Sequence, residues 1–192
     1  MRGFTLVEIL VVMAIMAIVG TVLVAIFTNT LRGSNKSQIL AAIKQNGQAV
    51  LDNIDKAMRD ADGVVCPKLD DSSNTLVLVK NGRYTRFRFI PSLPGGNGYV
   101  QQDSPAPGND INAFLKTVCT DPSSEGTIIL TDTNLRSGVS ANWDTGPFTS
   151  NREPGFKDSV TVSFKLGPGA GIPPAVANQI DSVVFQTTIQ LR

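Results

Sequence analysis

The sequence predicts an α+β protein in which one long N-terminal helix, apolar first and amphipathic after, packs on a mainly antiparallel β-sheet. Three observations carry that expectation. Ile9 to Phe27 reads ILVVMAIMAIVGTVLVAIF, without a charge. Apolar residues then recur at helical spacing as far as Ala61, and beyond Gly63 the chain changes to β-prone runs broken by Gly and Pro.

The apolar run has about the 20 residues that an α-helix needs to cross a bilayer. A core helix of a soluble protein seldom stays apolar on all sides for so long. A secretory signal would place a small-residue cleavage site after its apolar stretch. Here the small residue behind a basic one is Gly3, which precedes the run, so any cleavage is expected at Gly3.

After Phe27, TNTLRGSNKSQ brings back charge, and this is where the helix should leave the membrane. Ile39, Ile43, Val50, Ile54, Ala57, Met58 and Ala61 follow at three-, four- and seven-residue spacings, with Lys44, Gln48, Asp52, Asp55 and Arg59 largely between them. The stripe reads as packing against a sheet rather than as a cofactor groove. Asp62-Gly63 is expected to close the helix, with Gly63 in the left-handed conformation. The helix is thus predicted from about Thr5 to Ala61.

TLVLVK, Asn81-Gly82 and RYTRFRFI read as a β-hairpin, because Asn-Gly supplies the positive φ angles of a type I′ turn. Pro91 to Asn109 reads as a long exposed loop, INAFLKTVC as a short helix or strand, and TIILTDTNL as a strand ahead of an irregular stretch from Arg136 to Gly155. Val160, Val162, Phe164 and Leu166 alternate with polar residues, as do Phe185, Thr187, Ile189 and Leu191, so each strand should bury one face. GPGAGIPPA separates them. The segments are 1–3, a leader; 4–31, the membrane helix; 32–63, its amphipathic continuation; and 64–192, a β-rich head.

Composition narrows the function. In 192 residues there is no histidine, which removes the commonest general base and metal ligand, and no nucleophile motif or phosphate-binding glycine loop is recognisable. The expectation is a protein that is not an enzyme, with no cofactor and no metal. Lys and Arg number 17 against 16 Asp and Glu, a net charge of +1 that gives no footprint for nucleic acid. Arg83, Arg86 and Arg88 interleave with Tyr84, Phe87 and Phe89, and against that neutral balance they read as the solvated face of an ordinary strand. Asp70, Asp71 and Asn74, and Asp132, Asn134 and Asp144, supply oxygen ligands of the kind calcium uses, but turn chemistry explains the same residues and neither run has EF-hand spacing.

Glu8 stands at the start of the apolar run, where a carboxylate near a bilayer centre costs ~2.5 to 3.5 kcal/mol. Arg2-Gly3-Phe4-Thr5-Leu6-Val7-Glu8-Ile9 followed by that helix resembles the prepilin signature of the type IV pilin-like family: a basic leader ending in Gly, then Phe, with Glu as the fifth residue after the cleavage point. The resemblance covers the first ~30 residues and implies a pilin fold. It also implies prepilin peptidase cleavage between Gly3 and Phe4, N-methylation of Phe4, and a pairing of Glu8 with a free terminal amine. The leader Met1-Arg2-Gly3 is very short for that family, and Ala25 stands where many major pilins carry proline.

Under this resemblance the head faces an oxidising compartment, where Cys66 and Cys119 are either bridged or two buried thiols. A bridge closing so long a loop would stabilise by ~4 kcal/mol in the chain-entropy model. Size, loop-rich middle and the ending FQTTIQLR are most similar to J-type pseudopilins and W-type minor pilins. The implied function is that of a minor pilin or pseudopilin near the tip of a type IV pilus or type II secretion pseudopilus, supporting initiation of assembly, adhesion, DNA uptake or protein secretion. Its partners would be prepilin peptidase, other pilin subunits, the inner-membrane assembly platform and the lipid bilayer. It would start in the inner membrane as a single-pass protein with its head outside the cytoplasm. The rival is a single-pass anchored binding protein whose helix is only a tether.

Overall fold

The computed structural model describes residues 5–68, 71–122, 126–151 and 157–191. Contacts divide the chain into two units, residues 1–38 and 39–192. One helix, α1 (Leu6–Asp60, 55 residues), contributes to both.

In the first unit every residue from Thr5 to Gln38 is exposed. Thr5 caps the helix: the Glu8 N–H donates to Thr5 Oγ1 at 3.3 Å and to Thr5 O at 3.1 Å. The spacing T-x-x-E is that of a capping box, a signal our sequence reading passed over. Gly20 and Thr21 do not interrupt the helix. The hydroxyls of Thr21, Thr28 and Thr30 donate to the carbonyls of Ile18, Val24 and Ile26 at 2.8, 3.0 and 2.9 Å, so these polar groups are satisfied within the helix itself, as an apolar surrounding requires.

In the second unit α1 buries Ile43, Gly47, Val50, Ile54 and Met58; of the expected stripe Ile39 and Ala57 are only half-buried, and Gly47 is an addition. A Cβ on Gly47 would stand 2.1 to 2.4 Å from the Phe185 ring, so glycine is what lets helix and sheet approach this closely. The helix end differs from expectation. Gly63 has no left-handed φ and begins a strand paired with Val79. Instead, Asp62 N–H donates to Val79 O at 2.8 Å and Asp62 Oδ2 accepts from Asn81 N–H at 2.7 Å, stitching the end of the helix to the hairpin.

The other elements are β1 (Gly63–Cys66), β2 (Ser72–Ser73), β3 (Thr75–Lys80), β4 (Arg83–Ile90), β5 (Tyr99–Asp103), α2 (Ile111–Thr117), β6 (Ile128–Ile129), β7 (Val139–Asn142), β8 (Phe148–Asn151), β9 (Ser159–Pro168), α3 (Pro174–Ala177) and β10 (Val183–Gln190). They form two antiparallel sheets, ordered β1-β3-β4-β5-β6 and β10-β9-β8-β2, with β7 also on β9. The β3–β4 hairpin turns at Asn81 (φ 48°) and Gly82 (φ 74°), the two left-handed residues that a type I′ turn needs. Val160, Val162, Phe164 and Leu166 of β9 face inward with Phe185 and Ile189 of β10 and with Leu191, as their alternation predicts.

Four segments depart from the sequence reading. The Pro91–Asn109 loop contains β5, whose YVQQD has one aliphatic residue and an acid that only a distant partner makes tolerable. The stretch from Arg136 to Gly155 contains β7 and β8, short runs of small and polar residues (VSAN, FTSN) formed by pairing with β9. In TIILTDTNL the strand is only Ile128–Ile129, because Asp132 and Asn134 spend their side chains on turn N–H groups. GPGAGIPPA runs into the single-turn helix α3, started by Pro174. INAFLKTVC resolves to a helix, capped by Asp110 Oδ1 on the Asn112 and Ala113 N–H groups at 2.9 and 3.1 Å.

The described residues form two cores. The larger joins the α1 stripe to Leu76, Leu78, Phe87, Phe89 and Val100 of the first sheet and to Phe148, Val162, Phe164 and Phe185 of the second. The smaller lies on the opposite face of the first sheet, where Cys66, Val77, Tyr84 and Val118 pack with Phe114 of α2. Four successive residues of β3, Thr75 to Leu78, are therefore buried, which is why TLVLVK lacks polar alternation.

Candidate functional site

Gly3 and Phe4 lie outside the described residues. Glu8 lies in the first turn of α1, exposed, where an acid faces the positive end of the helix dipole. Its surroundings are apolar: Leu6, Ile9 and Leu10 are 76, 50 and 58 % exposed. Among the described residues no cation forms an ion pair with it.

From Leu6 to Leu31 the helix presents large aliphatic side chains on all sides, and an 18-residue window has mean hydropathy 3.0 with none of it buried. That is long and apolar enough to cross a membrane. So large an exposed apolar surface needs lipid or other apolar helices around it.

In the head, Cys66 at the end of β1 and Cys119 after α2 are joined as a disulfide, their Cα atoms 6.1 Å apart. Beside it lies a group our sequence reading misjudged. Arg86 is not on a solvated strand face: its side chain is 1 % exposed and its Asp103 partner 0 %. Arg86 Nε donates to Asp103 Oδ1 at 2.8 Å, and the second guanidinium arm donates to Oδ2. The remaining N–H groups reach the carbonyls of Val118, Asp121 and Pro122 at 2.8, 3.2 and 2.9 Å. One side chain thus satisfies a buried carboxylate and three loop carbonyls, holding the segment that carries Cys119. Arg88 donates to the Asp121 carbonyl, and burial, then the neighbouring Arg86 charge, pushes its guanidinium below the ordinary range. No local signal marked this cluster, because Arg86 and Asp103 meet only through the cross-strand register of β4 and β5.

The calcium reading meets ordinary turn chemistry. Asp71 Oδ1 accepts from Ser72 N–H, Asp132 Oδ1 from Asn134 N–H, and Asn134 Oδ1 from the Arg136 and Ser137 N–H groups. Asp144 pairs with Lys165. Asp70 lies outside the described residues, among which no group of three or more acidic, Cys or His side chains is placed to hold a metal ion.

A capped apolar helix with an acid in its first turn, continuing into a helix laid on antiparallel sheets, defines a pilin-like α+β architecture. Residues 1–24 match the family model for the prokaryotic N-terminal methylation motif, which supports the type IV pilin-like family. No curated protein and no solved structure matches the chain. The motif implies processing by prepilin peptidase and assembly with other pilin subunits, and together with the apolar helix it fits membrane anchoring.

Proposed function

We propose that this chain is a minor pilin or pseudopilin that joins a type IV pilus or type II secretion pseudopilus near its tip and supports initiation of assembly. The observation that carries the reading is the methylation motif at residues 1–24 running directly into an uncharged helical surface that is exposed throughout. Such a surface is served by lipid before assembly and by neighbouring helices after it, and van der Waals packing then replaces lipid contact. In this reading Gly3 and Phe4 flank the cleavage point, Phe4 becomes the N-methylated terminus, and Glu8 meets a terminal amine. Four helical residues rise about 6 Å, so either the subunit's own amine or a neighbour's is within reach of Glu8. The Cys66–Cys119 bridge and the Arg86 clamp keep the head in one shape for contacts with other heads.

The test is N-terminal mass spectrometry of envelope protein from wild type and Glu8→Ala, with co-isolation of partner pilins. Wild type should begin at N-methylphenylalanine, and Glu8→Ala should still be inserted and cleaved but lose methylation or co-isolation. An intact Met1, cleavage after the apolar run, or wild-type behaviour of Glu8→Ala in every assay would overturn the reading and favour the tethered binding protein.

A further inference from the structure

The chain contains three Asn-Gly pairs, Asn46-Gly47, Asn81-Gly82 and Asn97-Gly98, and the fold treats them differently. Asn-Gly is the dipeptide in which a backbone nitrogen most readily attacks a side-chain amide, because glycine has no Cβ to obstruct the approach. The reaction needs two free groups: the Asn carboxamide as electrophile and the Gly N–H as nucleophile.

At Asn97-Gly98 both are engaged. Asn97 is 8 % exposed, its Nδ2 donates to Thr133 O and Asn134 O at 3.1 and 3.0 Å, its Oδ1 accepts from Ala170 N–H at 2.6 Å, and Gly98 N–H donates to Ser140 Oγ at 3.1 Å. At Asn46-Gly47 they are engaged again. Asn46 Nδ2 donates to Ala42 O at 2.9 Å and its Oδ1 accepts from Asp132 N–H at 2.7 Å, while Gly47 is a buried residue inside α1, its N–H part of the helix ladder. At Asn81-Gly82 neither group is held. Both residues are exposed at the hairpin tip, a Cβ on Gly82 would meet nothing within 4 Å, and neither the Asn81 carboxamide nor the Gly82 N–H has a hydrogen-bond partner among the described residues.

We propose that Asn81 is a site of spontaneous covalent modification in this protein, converting through a cyclic imide to aspartate and isoaspartate, while Asn46 and Asn97 are protected by the fold. The Gly82 nitrogen, losing its proton to solvent base, bonds to Cγ of Asn81, and the Cγ–Nδ2 bond breaks with release of ammonia. Water then opens the ring. Opening at the Cγ carbonyl leaves an aspartate side chain on the original backbone, and opening at the other carbonyl gives an isoaspartyl link with one more methylene in the main chain. The sum is amide plus water to acid plus ammonia, with no oxidant or reductant. Reaching the attack geometry requires rotation about ψ of Asn81, and the tip of a hairpin is where that rotation breaks fewest bonds. The tie nearest that rotation is Asn81 N–H to Asp62 Oδ2, the bond that fastens the hairpin to the end of α1. The product puts a new carboxylate beside Asp62 and next to the Lys80–Asp60 pair, so conversion loosens the same seam.

The experiment incubates the purified full-length protein, in detergent and a mildly alkaline buffer, and maps the three Asn-containing peptides by mass spectrometry over time. The same protein unfolded in urea gives the intrinsic rate of each pair. In the folded protein Asn81 should convert at least about tenfold faster than Asn46 and Asn97, whereas in urea the three rates should converge. Conversion at Asn46 or Asn97 as fast as at Asn81 in the folded protein, or an Asn81 suppressed relative to urea as strongly as the other two, would overturn the proposal.

Discussion

Two stretches of α1 meet opposite fates, one almost wholly apolar and the other apolar along a single line. Between Leu6 and Leu31 these residues are exposed on every side, whereas between Ile43 and Met58 a single stripe is sealed against two sheets. The difference lies in hydrophobicity and in period together. In the second stretch Lys44, Asp52 and Lys56 occupy the outer face and leave one apolar line for the protein's own core. The first has no polar face, so its partner must come from outside the polypeptide. Charge follows the same division: Glu8 stands in an apolar surface, while Arg86 and Asp103 bring a charged pair into the interior and satisfy it there.

Breaking the internal solution should have the largest effect. Arg86→Ala or Asp103→Ala leaves one buried charge alone and frees the loop carbonyls, and should cost about 3–5 kcal/mol. Replacing both residues with apolar side chains of similar volume should cost less than either single change. Equilibrium unfolding followed by the fluorescence of Trp143, half-buried against the larger core and edge-on to Phe89 at 5.6 Å, checks both. Neither variant should alter N-terminal processing, which belongs to the other stretch of the chain.

Next in size is the bridge. Non-reducing peptide mapping should recover Cys66 linked to Cys119, and the paired change to Ser should cost about 2–5 kcal/mol by the same unfolding assay. Full alkylation of both thiols without reductant would contradict the linkage. Because Arg86 holds the neighbouring segment independently, the Ser variant should remain folded, and Arg86→Ala combined with it should be worse than the sum of the two.

Gly47 sharpens the comparison within the helix. Gly20 meets nothing within 4 Å of an added Cβ, while Gly47 meets the Phe185 ring, which stacks on Phe164 at 5.3 Å. Gly20→Ala should be neutral or favourable to the helix. Gly47→Ala should destabilise the head by about 1–3 kcal/mol, with partial recovery on adding Phe185→Leu. Circular dichroism and the Trp143 signal separate the two outcomes.

The smallest effect is electrostatic. Asp60 at the end of α1 is held below its ordinary carboxylate range by its hydrogen bond to Lys80 and then by that residue's charge, at 2.7 Å. A depressed carboxylate contributes stability that is fully present above its unfolded pKa and is lost as pH falls through the folded one. Asp60→Asn should therefore shift the unfolding midpoint slightly at neutral pH, and the difference from wild type should vanish in acid. Because the pair is exposed, raising salt should shrink it too.

Much of this was legible in the residues themselves. An uncharged helix-length run, a 3.6-residue stripe, an Asn-Gly turn and two alternating strands are local patterns, and each produced the element it predicts; T-x-x-E at Thr5 was equally local and was overlooked. The β5, β7 and β8 strands were not legible, because their short polar sequences become strands only when β4 and β9 offer hydrogen bonds. Gly63 was misread for a related reason, since the helix ends on a side chain, Asp62, that finds the turn of a hairpin rather than on a left-handed glycine.

By itself the sequence determined the N-terminal signature, the membrane-length helix and the change from helical to β periodicity, all set by neighbours within one or two turns of chain. Tertiary structure alone decided that Arg86 is buried, that Asp103 neutralises it, that Gly47 is a contact point and that Asn81 alone of three equivalent dipeptides stands free. These outcomes depend on strand register and sheet packing, which bring together groups 17 residues apart at Arg86 and Asp103 and 86 residues apart at Asn46 and Asp132, and over such separations no local periodicity carries information.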